Sequence, residues 1–502
     1  MLELAMFETM DFTASFSPMA QRAIAWLQAQ RVPCWVVGGT VRDALLRRPS
    51  HDLDLAVPSD AVRLAKHLAD ALGAAFFPLD AARDVGRAVL TEPDGSQTYV
   101  DVAALRGPTL ADDLRLRDFT LNALALDIQA SAASVIDVTG GLADLQRRIL
   151  RVANEYSFRD DPLRTLRGVR LALAFDLTWD APSLALARRH ASALAQVAAE
   201  RVREELNRAF VYSRADLALH QLDDIGALAI VLPEIKALQG VTQAPPHRLD
   251  VYAHTLEVAR WTQALLAGAE LARSTSLAEA QLEALLAPFN QALSAYLGQT
   301  VDQGHSRAGL LVWSAILHDM GKPATRQVDA EGAITFRGHE AQSGRLAGML
   351  LKRLAFSAEA SHLVTRTCTE HRRAGALAAL TAGRPDHRQV YHYFQAAHPV
   401  GVEVALLSLA DHLAAWGADL VPERWQARRN VVHALLTAFF AHYAERVRPQ
   451  PLLDGRQLLD SLGLAPGPQV GALLAQLREE QAAGVITTEA EAWDFVRAAA
   501  AR

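Results

Sequence analysis

Val36-Val37-Gly38-Gly39-Thr40-Val41-Arg42-Asp43, continuing through His51-Asp52-Leu53-Asp54-Leu55-Ala56-Val57, decides the fold of this chain. Cys34 to Val37 is an apolar run that reads as a buried strand. It breaks at a glycine pair and enters Arg42–Arg48, which reads as a helix. A glycine pair lets backbone N–H groups approach a ligand closely, and the helix start behind it carries partial positive charge, so this turn suits a phosphate. Asp52 and Asp54 then alternate with Leu53 and Leu55. On a strand, period two sends both carboxylates to one face and both leucines to the core. Adjacent carboxylates repel each other unless a cation lies between them, and Mg²⁺ favours a few carboxylates together with substrate phosphates. Taken singly, Gly-Gly is an ordinary turn and Asp-x-Asp a solvated edge; in this order they point to phosphate and metal chemistry.

The arrangement resembles the head-domain signature of class II tRNA nucleotidyltransferases and bacterial poly(A) polymerases, within the DNA polymerase beta superfamily. The bulk numbers agree with a large globular protein. The 502 residues allow about two to four domains at ~150 residues each. Hydrophobic content of 51% with 21% charged residues excludes a disordered chain. Two cysteines, Cys34 and Cys368, cannot build a disulfide scaffold or a thiolate metal site, so a reducing, cytoplasmic setting is expected. The N-terminal stretch carries Glu3, Glu8 and Asp11 and lacks the basic start of a signal peptide, and no uncharged apolar run reaches membrane-spanning length. A net charge of −6 argues against a uniformly basic nucleic-acid binder but not against local basic surfaces.

Downstream, Pro18–Gln30 and Asp60–Leu72 read as helices. Phe76-Phe77, Arg87–Leu90 and Thr98–Ala103 read as strands, with Asp94-Gly95 as a hairpin turn. Asp101 stands in the last of these, where a nucleotidyltransferase sheet carries a third carboxylate. In Arg115-Leu116-Arg117-Asp118-Phe119-Thr120-Leu121-Asn122, Arg117 can clamp a triphosphate, and Asn122 can donate to or accept from a ribose or phosphate. This segment resembles the second family motif, two arginines before Asp-Phe-Thr, with Leu116 in place of the first arginine. Val135-Ile136-Asp137, Gly140-Gly141 and Asp144-Leu145 resemble the segment that closes the head. From Ile149 onward helices take over. The i, i+3 steps from Asp161 through Arg164 and Arg167 to Arg170 place all four on one helical face. They resemble the neck template in which an Asp–Arg pair reads the incoming base. Cytosine and adenine each show an amino donor beside a ring-nitrogen acceptor, which a carboxylate and a guanidinium complement; uracil and guanine show the reverse.

A second constellation follows: Pro245-Pro246-His247, Asp250 to His254, His318-Asp319-Met320-Gly321-Lys322, Gly338-His339-Glu340, Glu370-His371-Arg372 and Asp411-His412. Imidazole and carboxylate together suit a divalent transition metal. The pattern resembles the HD superfamily of metal-dependent phosphohydrolases, with His254, His318, Asp319 and Asp411 as the core set. The same resemblance adds His339 and His371 as ligands of a second metal.

The expected fold is therefore α+β: a polymerase beta-like mixed-sheet head at 18–150, then an all-α neck at 151–240, an HD domain at 247–415 and a helical C-terminal region at 416–502. The resemblance implies template-independent nucleotidyl transfer to a tRNA 3′ end, with neither membrane nor DNA as partner. Asp52, Asp54 and Asp101 are the candidate catalytic carboxylates, the first two holding Mg²⁺. Gly38, Gly39, Arg42, Arg117, Asn122, Asp161, Arg164, Arg167 and Arg170 are the candidate nucleotide-binding residues. Only Gly107-Pro108-Thr109-Leu110 separate Arg106 from Ala111, where A-adding members carry a long flexible loop. The resemblance thus implies CC addition from CTP, with full CCA addition from CTP and ATP as the wider form. A poly(A) polymerase, a hydrolase acting through the HD site alone, and a pure RNA-binding protein are the alternatives.

Overall fold

The computed structural model describes residues 15–50, 52–130, 134–267, 277–302, 304–462 and 465–500. Glu3, Glu8 and Asp11, and with them the expectation about a signal peptide, lie outside the described residues, as does His51. The chain forms two compact units, residues 1–197 with 224–227, and residues 198–223 with 228–502. The division falls inside the expected 151–240 segment.

In the first unit, α1 (Pro18–Gln30) is capped by the Ser17 side chain and feeds β1 (Trp35–Val37). Next come α2 (Gly39–Leu45), β2 (Asp52–Val57), α3 (Ala61–Leu72), β3 (Ala75–Asp80), β4 (Val85–Thr91) and β5 (Gln97–Ala104). The chain continues through α4 (Leu110–Arg115), β6 (Leu124–Asp127), β7 (Val135–Asp137) and α5 (Gly141–Gln146). The sheet runs β3-β4-β5-β2-β1-β6-β7, and β2 with β5 is its parallel pair. A parallel pair needs both faces covered or a crossover between its strands. Here α3 and the β3–β4 hairpin form that crossover. Leu53, Leu55, Val100 and Val102 are buried, so the carboxylates between them face the other way.

The helix behind the glycine pair begins at Gly39, three residues earlier than the sequence suggests, because Gly38 takes φ 75° and turns the chain directly into it. The arginine stripe also differs from expectation. Helix α6 (Ser157–Asp160) ends at Asp161, which is extended at φ −147° and ψ 101°. Helix α7 (Arg164–Ala174) starts only at Arg164. Arg164, Arg167 and Arg170 share a helix, whereas Asp161 sits on the break before it, its Oδ1 accepting from Leu163 N–H at 3.2 Å. The pre-proline position explains the break: Pro162 disfavours helical backbone at Asp161.

The second unit is helical apart from short two-stranded ribbons. Its HD constellation rides on α8 (Val251–Ala267), α9 (Arg307–Leu317), α10 (His339–Arg353) and α11 (Ala358–Glu370). Beyond α12 (His387–Ala397) come α13 (Gly401–Trp416) and α14 (Pro422–Ala441), and then a π-helical turn at Tyr443–Val447. α15 (Pro468–Ala482) joins the last helices around a separate small core of Leu453, Leu458, Leu473, Leu477 and Val496. Among the described residues no single helix is long and apolar enough to cross a membrane.

Candidate active and metal sites

In the head, register does the positioning. Asp54 on β2 lies opposite Asp101 on β5, and Asp101 opposite Arg87 on β4. Arg87, Asp101 and Asp54 therefore form a row across three strands, with Asp52 two residues along the same face. Arg87 clamps Asp101 through Nε and Nη2 at 2.6 and 2.7 Å. That bidentate geometry leaves Asp101 partly neutralised and fixed. Asp54 has no such counter-charge on its own strand: burial first, then Asp101, pushes its carboxyl up to about 6, against the pull of Arg117. A carboxylate held above its ordinary range by burial and by neighbouring carboxylates is one that a divalent cation would relieve, so the donor set fits Mg²⁺.

Arg117 reaches over the glycine turn. A Cβ built on Gly38 would lie 2.9 Å from Arg117 Nη1 and 3.4 Å from Asp54 Oδ2, so this position needs glycine both for its φ and for its space. Asp113, buried on α4, accepts from Arg117 at 3.0 Å and from Arg106 at 2.9 Å. Burial opposes the ionisation of Asp113, but Arg117 and Arg106 overcome it and hold its carboxyl below the usual range. The segment joining β5 to α4 is five residues long, 105–109, and is tied down at both ends. Arg106 N–H also donates to Asp113, and the Thr109 hydroxyl oxygen accepts from Asp112 N–H to cap α4.

Arg42 is not an open phosphate ligand. It is buried, bonded to Asp43 and Asn122 Oδ1, and stacked 4.2 Å over the Phe175 ring. Asn122 in turn donates to Asp118 at 3.1 Å, and Asp118 pairs with Arg167 at 3.2 Å. Burial would raise the Asp118 carboxyl, but Arg167, the Asn122 amide and Phe119 N–H outweigh it and hold the group below its ordinary value. One continuous polar chain, Asp43–Arg42–Asn122–Asp118–Arg167, thus runs from the helix behind the glycine turn to the arginine helix α7. Arg164 donates to Ser157 Oγ at 3.0 Å and is half-buried on the approach to Asp161. Leu116, where the resembled motif has arginine, is exposed.

The closing motif of the head has a plain mechanical reading. Asp137 caps α5 by accepting from Thr139, Gly140 and Gly141 N–H at Oδ1 and from Leu142 N–H at Oδ2. Gly141 admits the Thr120 carbonyl, which a Cβ there would meet at 2.1 Å. Thr120 donates to the buried Asp144, so the Asp-Phe-Thr segment is fixed from behind.

In the second unit, six predicted ligands converge into two groups, His254/His318/Asp411 and Asp319/His339/His371, each with its ligand atoms within 4.8 Å of one another. Among the described residues no group of three in the head closes to that spacing. His318, His339 and His371 each hydrogen-bond the backbone carbonyl three residues before it through Nδ1, at 2.7–2.8 Å. A carbonyl only accepts, so each Nδ1 carries the proton and each Nε2 presents a lone pair to the centre. His318 and His371 cap the ends of α9 and α11, which supplies those carbonyls. His371 stays neutral, its pKa pushed down to about 4 by burial and by His318.

Buried His318 Nε2 and both Asp319 carboxylate oxygens lack a well-directed hydrogen bond. Atoms of this kind are costly to bury unsatisfied and would be satisfied by a bound cation, so the set fits a metal. Lys322, one turn on from Asp319, brings its ammonium to 2.6 Å from Oδ2. A cavity of about 330 Å³ opens beside them, lined also by His247, Arg337 and Arg372. His247 packs edge-on to His254 with ring centroids 4.7 Å apart. Sequence reasoning left His247 and Lys322 out of the ligand set, although Pro245-Pro246-His247 and the i+3 step from Asp319 were visible.

Comparison with known proteins gives the family. Residues 34–151 match the poly A polymerase head domain, 177–239 the probable RNA and SrmB-binding site of polymerase A, and 251–416 the HD domain. The chain is 33% identical over 462 residues to a CC-adding tRNA nucleotidyltransferase of Geobacter sulfurreducens, covering 92% of this chain and 91% of that one. It is 31% identical over 471 residues to an A-adding tRNA nucleotidyltransferase of Deinococcus radiodurans, covering 92% and 94%. In fold it superposes on the Thermotoga maritima CCA-adding enzyme complexed with tRNA at a TM-score of 0.60, with 18% identity and 98% of each chain covered. With its polymerase head, RNA-binding segment and HD domain in that order, the chain belongs to the CCA-adding family of tRNA nucleotidyltransferases, whose members add CC, A or CCA.

Proposed function

We propose that this enzyme adds two C residues to the tRNA 3′ end from CTP and stops there. The observation that carries this reading is the five-residue link between β5 and α4, clasped by Arg106, Asp113 and Thr109. Terminal A addition in the family goes with a long flexible loop at this place, and a short, tied segment cannot swing to re-orient the site for ATP.

In this reading the tRNA 3′-oxygen attacks the α-phosphorus of CTP as the bond to pyrophosphate breaks. Asp52 and Asp54 would hold Mg²⁺, which would supply acidity to the hydroxyl and charge stabilisation to the triphosphate. Asp101 buttresses the pair from β5 and is itself held by Arg87. The Gly39 N–H and the Arg117 guanidinium face the phosphates, while Gly38, whose own N–H donates to the Leu124 carbonyl, supplies the turn. Arg42 and Asn122 act from behind the turn, orienting it, and Asp118 holds Arg167 toward the nucleotide. Asp161 and Arg164 read the cytosine edge, with Arg170 completing the positive face of α7. The test is transfer of labelled AMP to a tRNA already ending in CC. No incorporation is expected, while the same preparation incorporates CMP into a tRNA ending at the discriminator base; efficient A addition overturns the reading.

The converged HD ligands favour a second activity, metal-dependent hydrolysis of phosphoesters in the 330 Å³ cavity. Hydrolysis of bis(p-nitrophenyl) phosphate with Mn²⁺ or Ni²⁺ should survive Asp52→Ala with Asp54→Ala and disappear in Asp319→Ala. Insensitivity to Asp319→Ala would remove this second reading.

A further inference from the structure

A second cavity in the C-terminal half, about 800 Å³, shares no lining residue with the HD cavity. Its size falls in the range of small-molecule sites, roughly 300–1,000 Å³. Two features set it apart. Its walls are aromatic: Tyr391 and Phe394 on α12, Phe439 on α14, and Tyr443 on the π-helical turn. Phe394 and Phe439 lie 5.7 Å apart at 32°, and Tyr443 stands edge-on to Phe439 at 5.2 Å. Its charge is one-signed: in a chain of net −6, three arginines and no carboxylate line it.

Those arginines differ in depth. Arg448 and Arg478 are exposed at the rim, and among the described residues neither guanidinium has an ion-pair or hydrogen-bond partner. Arg307 lies deeper. The buried Glu403 accepts from its Nη1, which also donates to Tyr296 Oη at 2.7 Å, and the guanidinium stacks 4.6 Å over the Tyr296 ring. Its Nε and Nη2 groups make no hydrogen bond among the described residues. An oriented guanidinium with spare donors, two unpaired cations at the mouth and flat aromatic walls form a set complementary to a planar ring bearing a phosphate.

We infer that this cavity binds a free mononucleotide, the base against the Phe394–Phe439 wall and the phosphate among Arg307, Arg448 and Arg478. No carboxylate lines the cavity, and of its two lining amides Gln395 is already donating to the Val447 carbonyl, so recognition rests on stacking and charge, and different bases should bind with similar affinity. A volume of about 800 Å³ matches a single small-molecule ligand.

The test uses the full-length protein and 8-azido-AMP as photolabel, with peptides mapped by mass spectrometry. Label is expected in peptides containing Tyr391 or Tyr443 and should be competed by AMP. It should persist in Asp52→Ala with Asp54→Ala, and fall by about tenfold or more in Arg448→Glu with Arg478→Glu, since two charge-assisted contacts are reversed. AMP should also shield Arg448 and Arg478 of the unmutated protein from phenylglyoxal, a readout that does not depend on the variant folding. Label confined to head peptides overturns the inference, as does label displaced by tRNA but not by AMP, or absence of arginine protection.

Discussion

Asp54 is the residue on which the head chemistry turns, and its environment makes a signed prediction. Its carboxyl is pushed from 3.8 to about 6 by burial and by Asp101. The folded state therefore binds this proton more tightly than the unfolded chain does. Ionising Asp54 works against folding, so the metal-free protein gains stability from this group as pH falls from about 6 toward 3.8, and loses it as pH rises back through about 6. Asp54→Asn should accordingly melt higher than the parent in EDTA at pH 7.5, by about 1–2 kcal/mol after allowance for solvent screening. The gap should close as pH drops toward 4; a gap that widens there refutes the assignment. Gly38→Ala is the steric counterpart. It must place a side chain at φ 75° and 2.9 Å from Arg117 Nη1, so transfer should fall sharply while the fold loses only about 1–3 kcal/mol. Unchanged turnover in that variant would mean Arg117 does not work over the turn. Asp118→Ala should destabilise through lost bonds instead. It removes the acceptor shared by Asn122 and the half-exposed Arg167, a cost of about 1–3 kcal/mol in a urea titration.

At the scale of elements, the β2–β5 pair and the clasped 105–109 link separate what the sequence can reveal from what it cannot. Period two in Asp52-Leu53-Asp54-Leu55 announced the strand and its two faces, and both hold. The Arg87–Asp101 clamp went unread, although the Asp94-Gly95 turn fixes the hairpin register that sets these two residues opposite each other. Asp161 was misread for a different reason: helical spacing carried the pattern through Pro162, and the backbone restriction before proline ended the helix first. Arg42 looked like a phosphate ligand because it stands one turn past the glycines. Only the fold reveals that Phe175, distant in sequence, covers it. The clasp itself is testable. Asp113→Ala removes the shared acceptor of Arg106 and Arg117, so it should loosen the link and raise the KM for CTP more than it lowers kcat. An effect on kcat alone would argue that Asp113 has no part in holding Arg117 toward the triphosphate.

At the scale of the whole molecule, two constellations sit in two compact units, each with its own core. The sequence made both legible because their ligands come in short clusters, His318-Asp319 and Asp52-Leu53-Asp54. The aromatic cavity was not, since Arg307, Tyr391, Phe439 and Arg448 are scattered over three helices and a loop. Metal should act on the units separately. Mn²⁺ or Ni²⁺ at a hundredfold excess over its dissociation constant should raise the stability of the HD-bearing unit by about 2.7 kcal/mol, and Asp319→Ala should abolish that gain without touching CMP transfer. Loss of both activities in a folded Asp319→Ala protein would show that the two sites are one functional unit. The most direct test of the central claim is the length of the product. A tRNA ending at the discriminator base, incubated with all four nucleoside triphosphates and Mg²⁺ and resolved at single-nucleotide steps, should stop two residues longer, with C at both positions. A product three residues longer ending in A, or a ladder of A residues, would contradict it.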